Sequence, residues 1–545
     1  MFFRFSKNYA LWDTIFIIAI AGYTLFGLWG VSLLSCDGLK ISSDLCCYVQ
    51  NMAGELRREL FSLDPLLAVP TTANSIISLE STLASLLQPG DDIVQGMLRA
   101  GAVGVFFHYI ACYYLGRRLF GTPLIAALFA LLTGVTVWVS FGTYWGFGSG
   151  DITPRVFYAA LFPALLAATL SALDKPQLRP LIMFVSGCGM YLHSISSLVA
   201  SCMLFTVFLL HRAKGDSLLR HGAWLLLSLV AWCLPTLLYL TSSIKSATPF
   251  SPQDLAVLQQ VFDRRFLEDE GGLWSRLIGH LHYRSDSFFL ILGGIAGFFV
   301  VRRYGTALMK RLASIVPTLL LGLCLALLFS VAETHIAQAL GRMPMGAELP
   351  RGVRFVIFLC WLMIVCGFAC FWQRAPKWAG LVAIAAVIVV LVCDQGRWAY
   401  GVRFAFRHVL ELPQPAKVQA RLRRGADYAE ALQAVQRIVP QDAPIFADPD
   451  AIVRYRLYRP LAYAFKDGSS YLYSQDAQGA ARWLDLTAIR DKQGLTAAWL
   501  ASGTQWVLCG TMSERQNIEQ QGTVLWSNDR WFIARRGIAA EHVTQ

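Results

Sequence analysis

A chain of 545 residues that is 56% hydrophobic and only 15% charged is not a purely soluble protein, since soluble chains carry about 25% charge. The net charge of +12 would suit nucleic acid, but the basic residues stand in short clusters between apolar runs, the pattern of cytoplasmic loops in membrane proteins, so nucleic acid is excluded as a partner. Thirteen cysteines lie mostly inside apolar runs, where a thiol behaves as a small hydrophobe, and no Cys-x-x-Cys spacing marks a structural metal.

Crossing a bilayer takes about 20 apolar residues. In chain order the sequence predicts about eleven spans, at 10–34, 94–116, 119–141, 155–173, 180–192, 194–211, 222–241, 286–301, 312–332, 352–373 and 378–396. Val382–Val392 is unbroken apolar sequence, without the polar stripe of a soluble core helix. The first run is too long for a signal-peptide core and is read as a retained span. The segments 180–192 and 194–211 are short and meet at Leu192-His193-Ser194. They are expected to form a broken or re-entrant pair, tolerated only where the backbone is buried in protein or lines a wet cavity.

With Arg4 and Lys7 placed in the cytoplasm, the short connections carrying Arg117 and Arg118, Lys175 and Arg179, Arg212, Lys214 and Arg220, Arg302, Arg303, Lys310 and Arg311, and Arg374 and Lys377 all fall on that side, as the positive-inside rule requires. An odd number of spans then puts the C-terminus outside, in the periplasm of a bacterial inner membrane. Three outer segments are long: 35–93, 242–285 and 333–350. Loops of this length usually carry function or their own helices. Ser43–Phe61 has apolar residues at helical spacing with Ser43 as a possible cap, and is expected to lie at the membrane surface. Cys36 could pair with Cys46 or Cys47 on this oxidising side.

Residues 397–545 are assigned to a soluble α/β domain, its composition ordinary from about 415. Helices are predicted at Arg421–Val439, Gln475–Ile489, 495–502 and 513–520, strands at Pro444–Ala447, Leu461–Phe465 and 505–509, and a hairpin through 523–535. Alternating strands and helices predict a small, mostly parallel sheet. Neither G-x-G-x-x-G nor a Walker loop is present, so nucleotide binding has no support. Lys466 and Asp467 in Phe465-Lys466-Asp467-Gly468-Ser469-Ser470-Tyr471 could form a functional loop, but read first as a plain turn after a strand.

Polar groups beside spans are expensive and so are candidates for function. The outer side collects Asp44, Asp64 in Phe61-Ser62-Leu63-Asp64-Pro65, Asp151 and Arg155 in Gly148-Ser149-Gly150-Asp151-Ile152-Thr153-Pro154-Arg155, His193, Glu333 and His335, and Glu348, Arg351 and Arg354 in Glu348-Leu349-Pro350-Arg351-Gly352-Val353-Arg354. Each has a plain structural reading too. Arg351 and Arg354 could anchor at lipid phosphates, Asp44 could favour a helix dipole, Asp64 could serve a turn, and His193 could bridge two helices.

An acidic residue at the start of the first outer loop, an amphipathic helix and then Phe-x-x-Asp-Pro resemble the polytopic membrane glycosyltransferases of the GT-C superfamily. So do Thr153-Pro154-Arg155 opening a span, a mid-membrane histidine, an Arg-x-x-Arg pair opening a late span, and a terminal α/β domain. The chain lacks a clear Asp-Glu pair like that of protein mannosyltransferases and the Trp-Trp-Asp motif of oligosaccharyltransferases, which leaves sugar and acceptor open.

The resemblance implies transfer of a sugar from a polyprenyl-phosphate lipid to an envelope glycan, lipid or protein. Arg351, Arg354, Arg155 and His193 would bind the lipid phosphate, arginine through bidentate hydrogen bonds. Asp44 would be the base for the acceptor hydroxyl. Asp64 would position the acceptor or help hold a divalent cation, Mg or Mn. Two other readings stand beside this one: a non-enzymatic subunit that works with polysaccharide-assembly proteins, and a transporter or flippase, for which internal repeats are missing.

Overall fold

The computed structural model describes residues 7–36, 43–69, 78–140, 143–147, 154–243, 251–267, 285–340, 342–344, 348–393, 396–448 and 452–537. Among them, eight helices are long and apolar enough to cross a membrane. The chain is a polytopic α-helical membrane protein with a C-terminal α/β domain.

Helices pair where small residues let backbones approach, as expected where lipid removes the hydrophobic drive between them. Ser285–Tyr304 lies along Arg354–Trp372. A Cβ on Gly294 would stand 2.9 Å from Cys360, and one on Gly367 would stand 3.1 Å from the Cα of Gly297. Lys7–Cys36 packs on Arg397–Val409 through Gly27, Gly30 and Gly401. That second helix therefore belongs with the bundle, although the composition boundary at 397 assigned it to the soluble domain.

The predicted short basic connections touch one another. Arg118 donates to the Ala167 carbonyl, Arg311 pairs with Asp174, Arg179 reaches His221 and the His211 carbonyl, and Arg374 covers Tyr304. They share one end of the bundle. Nearby, Arg117 meets Asp13 at 2.7 Å.

One span expectation changes and one is borne out. The segment 119–141 is a 12-residue helix, Pro123–Gly134, followed by an antiparallel pair, β1 (Val137–Ser140) and β2 (Thr143–Trp145). Gly121, at φ 74°, ends the preceding helix, Pro123 starts the next, and Val135-Thr136-Val137-Trp138-Val139 favours strand over helix. The expected break at His193 is present: helix Arg179–Cys188 gives way to Met190–Leu210, in which His193 alone is extended (φ −160°, ψ 102°).

The helix of the first loop, Ser43–Leu56, does not lie on the membrane surface. Cys46, Cys47, Val49, Gln50, Asn51, Met52 and Ala53 are all buried. This helix packs against Ile93–Phe120 on one side and Ile452–Leu457 of the C-terminal domain on another. A helix that is buried nearly all round sits between two bodies rather than on a surface. The Cys36 side chain lies outside the described residues, and the Cys46 Sγ is 3.6 Å from the Tyr455 hydroxyl.

The C-terminal domain follows the predicted order with two corrections. Its sheet runs β3 (Ile445–Asp448), β4 (Trp506–Cys509), β6 (Phe532–Arg536), β5 (Gly522–Ser527). Only β3 and β4 are parallel, so the sheet is mixed. The terminal hairpin must pair antiparallel, since so short a connection permits nothing else, and β6 then lies against β4. The expected strand Leu461–Phe465 is a single bridge from Leu461 to Ile445. Beyond it the chain turns into helix Asp467–Ser474.

One buried cluster joins the two bodies. Arg454, fully buried, donates from Nε to Asp64 Oδ2 at 2.7 Å and from Nη1 to Asp467 Oδ1 at 2.7 Å and Gln50 Oε1 at 3.0 Å. Its Nη2 reaches both carboxylates. Asp64 also accepts from the backbone amides of Leu66, Leu67 and Leu461. Burial opposes the Arg454 cation, but Asp467 and Asp64 outweigh it and hold its pKa above the ordinary arginine value. Removing one partner of a buried charge cluster costs about 3–5 kcal/mol. Asp64→Ala is therefore expected to lower the thermal midpoint in detergent by that measure and to expose the C-terminal domain to protease. An unchanged midpoint would sink the assigned role. Gly297→Leu is expected to lower the same midpoint through the bundle and leave the protease pattern of the C-terminal domain as it was.

Candidate functional site

Arg155 is the second residue of helix Pro154–Ala172, where Pro154 fits the first turn. Its guanidinium lies 4.7 Å over the Tyr144 ring of β2. Arg351 sits in a 3-10 turn, Leu349–Val353, and Arg354 opens helix Arg354–Trp372. Gly352 sets their depth, because a Cβ there would stand 2.8 Å from Val199. The turn thus rests directly on helix Met190–Leu210, beside the break at His193. Arg351 Nη1 pairs with Glu348 Oε2 at 2.7 Å. Arg354, 4% exposed, donates from Nη2 to Ser196 Oγ. Ser196 in turn meets His193 Nδ1 through its hydroxyl at 2.8 Å and through its backbone N–H at 3.1 Å.

These groups surround a cavity of about 150 Å³. Arg155, His193, Arg351 and Arg354, four residues singled out from the sequence, all line it. The opposite wall comes from elsewhere. Cys47 and Tyr48 project from helix Ser43–Leu56, Lys466, Ser469 and Tyr473 come from the C-terminal domain, and Arg265 comes from the second long loop. Arg265 Nε donates to Ser469 Oγ at 3.1 Å, and its guanidinium lies 4.9 Å over the Phe465 ring. Burial, with Glu80 nearby, holds the Tyr48 phenol well above its ordinary pKa, so its hydroxyl keeps its proton. Five cations and one carboxylate line the space. It is suited to an anion with two or more negative oxygens, since guanidinium and ammonium groups donate charge-assisted bonds and accept none.

The remaining expected residues lie elsewhere. Asp64 is 0% exposed and its two oxygens are engaged by Arg454 and three backbone amides. It has no face for an acceptor or a cation, and the catalytic expectation for it is corrected to a structural one. Asp44 falls in the first turn of its helix, one turn before cavity-lining Cys47; its side chain lies outside the described residues, as does Asp151. Glu333 pairs with Arg342 at 2.7 Å, and His335 is exposed. Among the described residues, no group of three or more His, Cys, Asp or Glu side chains is placed to hold a metal ion.

Arg265 was not foreseen as a site residue, and Lys466 only as one member of a loop that could be functional. The plain turn that the sequence favours there is instead the start of helix Asp467–Ser474. Asp467, the neighbour of Lys466, is held by Arg454, and that fixes Lys466 where the C-terminal domain meets the bundle. Arg265 belongs to a loop whose long-range partner the sequence does not reveal. The signal available was a basic pair, Arg264-Arg265, in the second long loop.

No protein-family model matches the sequence, and no curated protein matches it. Among solved structures, the chain is similar to the crystal structure of ArnT from Cupriavidus metallidurans in the apo state, with 13% identity and a TM-score of 0.42 over 96% of this chain and 97% of that chain.

The cluster of cations generates a prediction that needs no knowledge of the reaction. A hydrogen bond to a charged group contributes about 1.5–3 kcal/mol, or roughly 10- to 100-fold in affinity. Arg155→Ala, Arg354→Ala and Lys466→Ala are each expected to weaken binding of inorganic pyrophosphate by that factor, measured by calorimetry on the full chain in detergent. Equal affinities for the Lys466 variant and the unmodified protein would remove Lys466 from the site.

Proposed function

We propose that the chain is a GT-C-type glycosyltransferase, which moves a sugar from a polyprenyl-phosphate donor to an envelope glycan, lipid or protein on the outer face of a bacterial inner membrane. One observation carries this reading: three arginines at the starts of two bundle helices, Arg155 on one and Arg351 and Arg354 at the other, line one cavity with Arg265 and Lys466. They do so at the end away from the short basic connections. Anchors that merely snorkel would spread around the rim toward lipid; these gather inward on a common space.

In the proposed reaction the acceptor oxygen forms a bond to the anomeric carbon as the bond from that carbon to the lipid phosphate oxygen breaks. The electron pair leaves with the phosphate, whose added negative charge the arginines and Lys466 stabilise where it develops. The acceptor's proton goes to a carboxylate. Asp44, one turn before Cys47, is proposed for that role. Glu348 holds Arg351 in place. A cavity of about 150 Å³ takes a molecule the size of benzene, enough for a phosphate headgroup. A charged lining weighs against the non-enzymatic assembly subunit, for which an apolar filling is expected.

The test is transfer of radiolabelled sugar from lipid-linked donors in membranes expressing the chain. Arg351→Ala is expected to lower transfer at least 100-fold with expression intact. Arg351→Lys, which keeps the charge but not the bidentate fork, is expected to retain a fraction. Normal transfer by both the Arg351→Ala and Asp44→Ala variants would overturn the assigned site.

A further inference from the structure

His193 is joined to Arg354 by a hydrogen-bonded chain whose direction is determined at both ends. A guanidinium has donors and no acceptor, so Arg354 Nη2 must donate to Ser196 Oγ. The Ser196 hydroxyl hydrogen is then free to point elsewhere, and His193 Nδ1, at 2.8 Å, is there to accept it. The Ser196 backbone N–H, which can only donate, points to the same nitrogen at 3.1 Å. Nδ1 therefore accepts and carries no proton, which puts the ring proton on Nε2.

The backbone supports the same arrangement. His193 is the extended residue at the break, and a side chain there that accepts the N–H three residues on is a helix N-cap. The cap turns Nδ1 inward, toward buried Ser196. Because His193 lines the cavity, Nε2–H is the polar atom left to face it.

We propose that Arg354 and Ser196 hold His193 as its neutral Nε2–H tautomer, a hydrogen-bond donor for a phosphate oxygen of the anionic ligand, with Ser196 as the positioning residue. This rests on the anion-binding reading of the cavity and does not depend on sugar transfer. It assigns His193 a role distinct from that of a base: in this tautomer the nitrogen facing the ligand gives a proton-bearing bond and cannot take a proton. A single buried serine thereby ties the orientation of one phosphate-binding arginine to that of the histidine beside it.

The experiment is solid-state nitrogen-15 NMR of the full chain in lipid bilayers, labelled at histidine, at neutral pH. The His193 signals are assigned by difference from His193→Gln. The expected spectrum has one protonated nitrogen, Nε2, and one unprotonated nitrogen, Nδ1. An imidazolium, or the Nδ1–H form, would overturn the proposal. Addition of inorganic pyrophosphate is expected to shift Nε2 and leave Nδ1 nearly unmoved; an unmoved Nε2 overturns its assignment as a ligand donor. Neither measurement requires a Ser196 variant to fold. Ser196→Ala is expected to move the Nδ1 signal toward that of a more weakly bonded nitrogen and Ser196→Thr to restore it, a pattern that packing alone would not produce. If Nε2 responds to pyrophosphate while membranes transfer no sugar from any lipid-linked donor, the transferase reading fails and this one stands.

Discussion

The architecture depends on one buried cation. Arg454 sits at zero exposure between Asp64 of the first long loop and Asp467 of the C-terminal domain, with Gln50 of the first-loop helix as a third partner. Three ionised groups out of water are costly unless each lone pair and proton is used. Here nearly all are: the guanidinium makes six bonds to four residues, and the carboxylates take further backbone donors. Hydrophobic packing would hold the two bodies together about as well, but it would not specify their register as closely as a directional network does.

That register matters because the cavity is assembled across it. Gln50 stands one helical turn after Cys47, and Lys466 directly precedes Asp467. The residues clasped by Arg454 are therefore immediate neighbours of those that form the outer wall. The inner wall is the work of the bundle. Pro154 and Gly352 determine where Arg155, Arg351 and Arg354 emerge, and the break at His193 opens a polar edge in an otherwise continuous helix. Grouping like charges in a part-enclosed space is unfavourable by itself. It persists where aromatic faces, a carboxylate and hydroxyls offset it, as Tyr144, Glu348 and Ser196 do here.

The spans, the basic end, the break at His193 and most elements of the terminal domain could be read in the chain because each follows from local signals: run length, charge clustering, capping and turn residues. Arg155, Arg351 and Arg354 stood out for the same reason, as charges at the ends of apolar runs. Asp64 shows the limit of this reading. Phe61-Ser62-Leu63-Asp64-Pro65 looks alike whether its carboxylate faces a substrate or an arginine 390 residues away. The first-loop helix was mistaken for a surface helix because its second apolar neighbour, Ile452–Leu457, lies in another part of the chain.

Sequence by itself determined that this chain crosses a membrane many times, which connections cluster at one end, and that a soluble α/β domain follows. These properties come from hydropathy and charge, which act residue by residue against the solvent. Only the tertiary structure decided that Arg265 and Lys466 join the bundle's arginines, that Asp64 is structural, and that the sheet is mixed. Each of these depends on pairings between distant segments, and their free energy depends on geometry that no window of sequence contains.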